Sequence, residues 1–323
     1  LMMVLRSTRT SSRSLTMPVT PTRKTTLADM VRLGRNPSDS LEKAGREPTT
    51  SPDELSGRHG YNADFLTGWR VALPQPAGDI RPLRRGGPGA ELRYQNFSVI
   101  MSASRRLPLI TAVNIDGAQS RQVPRTDVWC FDGRLDKDDQ WGDALYDGNA
   151  LDRGHMVRRE DPVWGTLEEA RTANADTFHF TNCCPQMASV NQKVWLGLED
   201  YVLRHAKVDR MRVSVFTGPF FGANDLAYRG ALIPKAFWKV VAIVTENGRP
   251  SATAYKVDQV QALEHLKFVY AGYKTFQISI RSVMQNTNID FSALIPYDGF
   301  SQHEVAQGTE LVEPLDSFES IRV

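Results

Sequence analysis

Cysteine is scarce in this chain: Cys130, Cys183 and Cys184 are the only three among 323 residues. Three thiols do not make a disulfide framework, and the vicinal pair lacks the two-residue gap of a zinc knuckle. We read them as buried free thiols, with a bridge from Cys130 to one of the pair left open. A long apolar run is also missing. A membrane helix needs roughly 18 such residues, and the best stretch, Ala236 to Val244, is short, rich in β-formers and broken by Lys239. It reads as a strand, and no membrane association is expected. Excess charge of one sign is lacking too. Lys and Arg number 39 against 37 Asp and Glu, a net of +2, and beyond the first 56 residues the two signs nearly cancel. Bulk charge therefore does not advertise a polyanion partner, and any grip on one must come from a local patch.

The chain opens without an acidic residue before Asp29, in a stretch rich in Ser, Thr, Arg and Pro. Leu1-Met2-Met3-Val4-Leu5 is too short for the apolar region of a secretion signal. The opening suits a mitochondrial transit peptide if the source is eukaryotic. Otherwise the protein is expected in the cytoplasm or exported by another route. We read residues 1–56 as a disordered extension or linker and residues 57–323 as one folded domain.

What is present is an ordinary globular composition, 41% hydrophobic and 24% charged, enough for a sizeable core. Short alternating or apolar runs predict strands at Phe97 to Met101, Leu109 to Ile115, Met211 to Phe216, Ala236 to Val244 and Thr275 to Ile280. Asn247-Gly248 is a hairpin turn, and Val257 to Leu266 has helical spacing. Many strands with few helices predict an α+β fold on a mixed, mainly antiparallel sheet. The loop Arg81 to Gly89 is basic and glycine-rich; it is either a solvated loop or an arm that touches phosphates.

Chemistry concentrates between Leu151 and Tyr201. Asp152-Arg153-Gly154-His155 opens the stretch, Asp176 to Asn182 alternates like a strand, and Asn191 to Asp200 reads as a helix. These are parts for metal-assisted phosphodiester cleavage. His155 has an unperturbed pKa of about 6.5 and can take a proton from water. Asn191 can give a metal a neutral oxygen, and arginines can meet the developing phosphate charge. Asn191 and Glu199 differ by roughly 80° around a helix and roughly 12 Å along it. One can ligate directly while the other acts through water, which suits Mg2+.

Asp152-Arg153-Gly154-His155, Thr181-Asn182-x-x-Pro185-Gln186 and Asn191-x-x-x-Trp195-x-x-Leu198-Glu199 occur in an order and spacing that resembles the sugar-non-specific DNA/RNA endonucleases. This is the ββα-metal, or His-Me finger, type that includes the secreted Serratia nuclease and endonuclease G. The resemblance implies DNA and RNA as substrates, 5′-phosphate products, and Mg2+ as cofactor with Mn2+ able to substitute. It implies His155 as general base, Asn191 as the direct metal ligand, and Glu199 holding the ion's waters or helping to protonate the leaving oxygen. Arg153 would contact the phosphate, Arg134 in Asp132-Gly133-Arg134 would be a further transition-state arginine, and Asp152 and Asn182 would orient the motif. Arg158, Arg159, Arg105 and Arg106 are candidates for gripping the nucleic-acid backbone. Homodimers are frequent in the family, and a protein inhibitor is a partner to consider. Cys183-Cys184 stands where other small residues are commoner, so oxidation there would be expected to disturb Asn191.

Two rival readings come from other classes. One is a catalytically silent nucleic-acid-binding module; the intact His155, Asn191 and Glu199 argue against it, because binding alone needs none of them. The other is the nuclease part of a larger toxin or peptidase fusion. Gly57 to Leu66 looks like bacterial members attached to trypsin-like peptidases, but no Gly-Asp-Ser-Gly-Gly nucleophile motif occurs in this chain.

Overall fold

The computed structural model describes residues 47–187, 196–260, 263 and 274–315, with the backbone alone for 196–201 and 274. In chain order the strands are β1 (Thr49–Thr50), β2 (Glu91–Tyr94), β3 (Phe97–Met101), β4 (Pro108–Asp116), β5 (Phe131–Asp132) and β6 (Leu151–His155). Helix α1 (Leu167–Asp176), β7 (Cys183–Met187) and helix α2 (Leu196–Val208) follow. Then come β8 (Arg212–Phe220), β9 (Leu226–Tyr228), β10 (Ala231–Ile233), β11 (Ala236–Val244), β12 (Pro250–Asp258) and β13 (Lys274–Ile278). Helices α3 (Ile280–Thr287) and α4 (Gly299–Gln307) and strand β14 (Val312–Pro314) complete the described elements.

Eight strands form one sheet in the order β14-β13-β12-β11-β8-β4-β3-β2, and each neighbouring pair runs antiparallel. Its central strands are covered on both faces, which explains why β4 and β11 read as nearly continuous apolar runs. Alternate side chains serve two cores. Val113, Ile115, Val213, Val215 and Val241 pack on one face with Leu203 and Ala206 of α2. Ala112, Phe216, Trp238 and Val240 pack on the other with Ile280 and Val283 of α3. Lys239, the break in the β11 run, is buried and donates from Nζ to Thr217 Oγ1 at 3.0 Å. Gly248, at φ +72°, makes the β11–β12 turn. The fold is α+β, as its pattern of strands suggested, and the one parallel pair described is β1 with β5.

That parallel pair moves the start of the folded part. Phe131 N donates to Pro48 O at 2.8 Å, Gly133 N donates to Thr50 O at 2.9 Å, and Leu55 is buried in the core. Residues 48–55, assigned by sequence to the extension, thus carry a strand and a core contact before Gly57.

A second difference lies beside the motif. The alternating segment 176–182 is not a strand. Asp176 ends α1, Phe180–Asn182 form a single 3-10 turn, and the strand begins at Cys183. Side-chain bonds to backbone decide this. The Asn182 amide donates to Val157 O and Thr177 O, both at 3.0 Å, and its Oδ1 accepts from Val157 N at 2.9 Å. Of the predicted Val257 to Leu266 helix, Val257 and Asp258 still belong to β12, Val260 and Leu263 are helical, and the rest lie outside the described residues.

Candidate active site

Strands β6 and β7 form a two-stranded ribbon apart from the main sheet. Asp152 pairs with Gln186, Arg153 with Pro185, Gly154 with Cys184 and His155 with Cys183. The ribbon buries Leu151, Cys183, Cys184 and Met187 in the same core as α2. Gln259 clasps its outer edge: Met187 N donates to Gln259 Oε1 at 3.0 Å, and Gln259 Nε2 donates to Pro234 O at 2.6 Å. Gly154 is required by a close approach. A Cβ there would stand 2.2 Å from Cδ of the buried Gln186.

At the end of β6 the His155 imidazole lies against Trp129, with ring centroids 4.9 Å apart. Its Nε2 is buried and makes no hydrogen bond among the described residues. Burial pulls its pKa down to about 3, with the positive charges of Arg125 and Arg159 adding and Asp127 opposing. The ring is therefore neutral at pH 7.

Arg153, one residue on from the half-buried Asp152, donates from Nε to Asp143 Oδ1 at 2.6 Å, and its Nη2 stands 2.5 Å from the same oxygen. Its guanidinium also lies 5.6 Å from the centroid of Tyr146. Burial holds the Asp143 carboxyl above the usual carboxylate range against the pull of Arg153. Tyr146 in turn touches Cys183, with Oη 3.5 Å from Sγ.

Arg134 stands in a different setting. It is buried, donates from Nε and Nη2 to Asp132, and donates from Nη1 to Arg93 O at 2.9 Å. Tyr94 donates to the same Asp132 at 2.5 Å and stands 2.6 Å from Thr181 Oγ1. Burial opposes ionisation of Asp132, but Arg134 and Tyr94 outweigh it and hold the carboxyl below its ordinary range. This network ties β2 and β5 to the turn that precedes β7.

The other candidate arginines are also tied to the protein. Arg105 pairs with Asp225 at 3.0 Å and lies over Phe221, while Arg106 donates to Gln140 O and lies 3.8 Å from the centroid of a Trp141 ring. Arg158 and Arg159 both reach Glu160, at 3.5 Å and 2.5 Å. In the glycine-rich loop Arg81 and Arg84 pair with Asp139. Asn191 lies outside the described residues, and Glu199 lies on α2, where the backbone alone is described.

The described residues include no cluster of three His, Cys, Asp or Glu side chains able to hold a metal ion. A site with one neutral protein oxygen and waters needs no such cluster. The three cysteines are free, with Cys183 and Cys184 buried. Burial pushes the Cys183 thiol up to about 12 and Cys184 well above its ordinary value. Both thiols are thereby poor candidates for oxidation.

Trp129, Phe178, Asp143 and Tyr146 were not singled out from sequence. Their signals are weak: Trp129 sits in a short apolar run, and Phe178 in the alternation that resembles a strand.

A ribbon with arginine and a half-buried histidine, followed by a helix, is the ββα-metal arrangement. The model of the DNA/RNA non-specific endonuclease family matches residues 80–298, and the chain belongs to that family, whose members are metal-dependent nucleases. An uncharacterized protein, y4fB, of Sinorhizobium fredii is 39% identical over 289 residues, covering 80% of this chain and 43% of that protein. Mitochondrial endonuclease G of Bos taurus is 30% identical over 139 residues, 38% of this chain and 44% of that protein. The chain thus spans less than half the length of either relative. Among solved structures, the EndoG/EndoGI complex matches in fold with a TM-score of 0.50 at 18% identity, covering 64% of this chain and 86% of that one. No helix among the described residues is long and apolar enough to cross a membrane.

Proposed function

We propose that this chain is a Mg2+-dependent endonuclease that hydrolyses phosphodiester bonds in DNA and RNA and leaves 5′-phosphate ends. One observation carries the reading: a half-buried, neutral imidazole whose Nε2 is itself buried and makes no hydrogen bond among the described residues, one residue beyond Gly154 and two beyond Arg153. A neutral imidazole nitrogen without a partner is ready to accept a proton from attacking water. Arg153 is tethered on one side by Asp143 and meets the phosphate with the donors that Asp143 leaves. Asn191 would hold the ion through its amide oxygen, with Glu199 along the helix holding its waters. When bound, Mg2+ polarises the phosphate, and Mn2+ can take its place. Arg134 we assign to holding the Asp132 and Tyr94 frame. Contacts to phosphate alone carry no base sequence, so one site can serve both nucleic acids.

Burial makes His155 a weak base in the free protein. An anionic phosphate beside it offsets the charges of Arg125 and Arg159 and raises the imidazole pKa toward the working pH. The test is plasmid nicking and RNA degradation by wild type and His155→Ala, with Mg2+ or with EDTA. Loss of the base is expected to lower kcat by at least ~100-fold, and EDTA to abolish cleavage. Cleavage indifferent to His155, or binding without cleavage, overturns the reading.

A further inference from the structure

The imidazole of His155 is lodged between two aromatic rings. Trp129 lies 4.9 Å away at 50°, and Phe178 lies 5.1 Å away at 87°, an edge-on contact. Trp129 also meets Phe178 edge-on at 5.5 Å and stacks on Phe180 at 5.8 Å. The Arg153 guanidinium stands 5.9 Å from the centroid of the same indole. One side chain therefore touches both groups that the proposed function uses, one for the proton and one for the phosphate.

The indole is itself held in place. Cys130 N donates to Phe178 O at 2.9 Å, and Phe180 N donates to Cys130 O at 3.0 Å. These bonds lock the 129–130 segment to the segment that carries Phe178. Since Nε2 of His155 has no hydrogen-bond partner among the described residues, ring packing rather than hydrogen bonding at that nitrogen fixes its direction. The charged groups near the imidazole are Arg125, with its guanidinium 5.2 Å from the Phe178 centroid, Asp127 and Arg159.

We propose that Trp129 is the positioning residue of this site: its indole sets the plane of the His155 imidazole and the placement of the Arg153 guanidinium together. The role rests on the nuclease reading, in which His155 and Arg153 act. Proton abstraction depends steeply on alignment, and a displacement of about 1 Å can cost ~100-fold in rate. A flat aromatic face at position 129 is what the geometry needs. Leucine would fill much of the volume but offer no face, whereas phenylalanine would keep one.

The test uses the full chain with Mg2+ and compares wild type, Trp129→Leu and Trp129→Phe in steady-state nicking kinetics. Trp129→Leu is expected to lose at least ~10-fold in kcat with KM held within about twofold, and Trp129→Phe to recover most of the loss. A second readout is independent of turnover. The ring protons of His155, identified by their absence in His155→Gln, should carry ring-current shifts that move in Trp129→Leu and persist in Trp129→Phe. Wild-type kcat in folded Trp129→Leu, a loss confined to KM, or unmoved His155 ring signals each overturn the proposal. Should Trp129→Leu fail to fold, Trp129→Met takes its place with the same outcomes. An inactive wild type brings down the nuclease reading and this role together; an active wild type with an indifferent Trp129→Leu brings down this role alone.

Discussion

Arg153 and Arg134 carry the same guanidinium, both sit beside an aspartate, and both lie over aromatic rings, yet they belong to different kinds of region. Arg134 is 6% exposed, and its Nε, Nη1 and Nη2 all donate within the frame of β2 and β5. The Arg153 side chain keeps 27% of its exposure and leans on an Asp143 that keeps 29%. The first arrangement is a closed polar network. The second is a tether with one open side. Of the two, the arginine in the Asp-Gly-Arg turn is the less accessible. What separates them is how many acceptors the fold aims at each.

Removing a carboxylate tests that contrast most strongly at Asp132. Asp132→Ala would leave Arg134 buried without its counter-ion, and a loss of about 3–5 kcal/mol is expected for such an uncompensated charge. Urea unfolding monitored by fluorescence reads it directly. A midpoint close to wild type would show that Arg134 is not the closed element described.

Gly154→Ala comes next. The added Cβ meets Gln186 at 2.2–2.5 Å, all of it side chain, so the ribbon must shift. Overpacking of this kind costs about 1–3 kcal/mol, and the same shift should lower cleavage through His155. Thermal unfolding alongside nicking assays would report both, and an additive Gly154→Ala, Gln186→Ala double variant would break the link.

Acid probes the two regions through different groups. The folded pKa of His155, about 3, lies below its unfolded value, so the unfolded chain takes up the proton first. Its contribution to stability is whole above the unfolded value of about 6.5 and falls as pH drops from there toward 3. Asp132, held below the ordinary carboxylate range, keeps its contribution until lower pH and loses it through its folded pKa. Replacing His155 by Gln should therefore flatten the stability curve between about pH 6.5 and 4, measured by urea midpoints; an unchanged slope would contradict its neutral state in the fold.

The smallest expected change in stability is at the open tether. Asp143→Ala breaks a half-exposed pair and should cost under about 1 kcal/mol, while altering kcat/KM through a freed Arg153. Equal losses of stability for Asp143→Ala and Asp132→Ala would erase the distinction.

Much of this was legible in the residues because the physics was local. Alternation showed β8, short apolar runs showed β3, β4 and β11, and Asn247-Gly248 showed the turn between β11 and β12. The Asp152 to His155 motif lies on one strand of the ribbon, where consecutive residues suffice to recognise it. Helix α1 was missed although Thr166 and Glu169 form a capping box, a signal present in the sequence. The second ribbon strand was displaced because Phe178 and Phe180 alternate with polar residues while Asn182 folds the chain back on Val157. The aromatic surroundings of His155 could not be read at all, since Trp129 and Phe178 reach it across separations that no window spans.

The ribbon β6–β7 forms a sheet of its own. Its place over the main sheet is maintained by packed side chains and by the Gln259 clasp. On the proposed function, cooperative stability and reactivity are thereby lodged in separate ladders. Substitutions can accumulate in the eight-stranded scaffold without re-registering the working strands, and the working strands can be retuned without redrawing the scaffold. A fold partitioned in this way leaves room for divergence in everything except the few contacts that hold one part against the other.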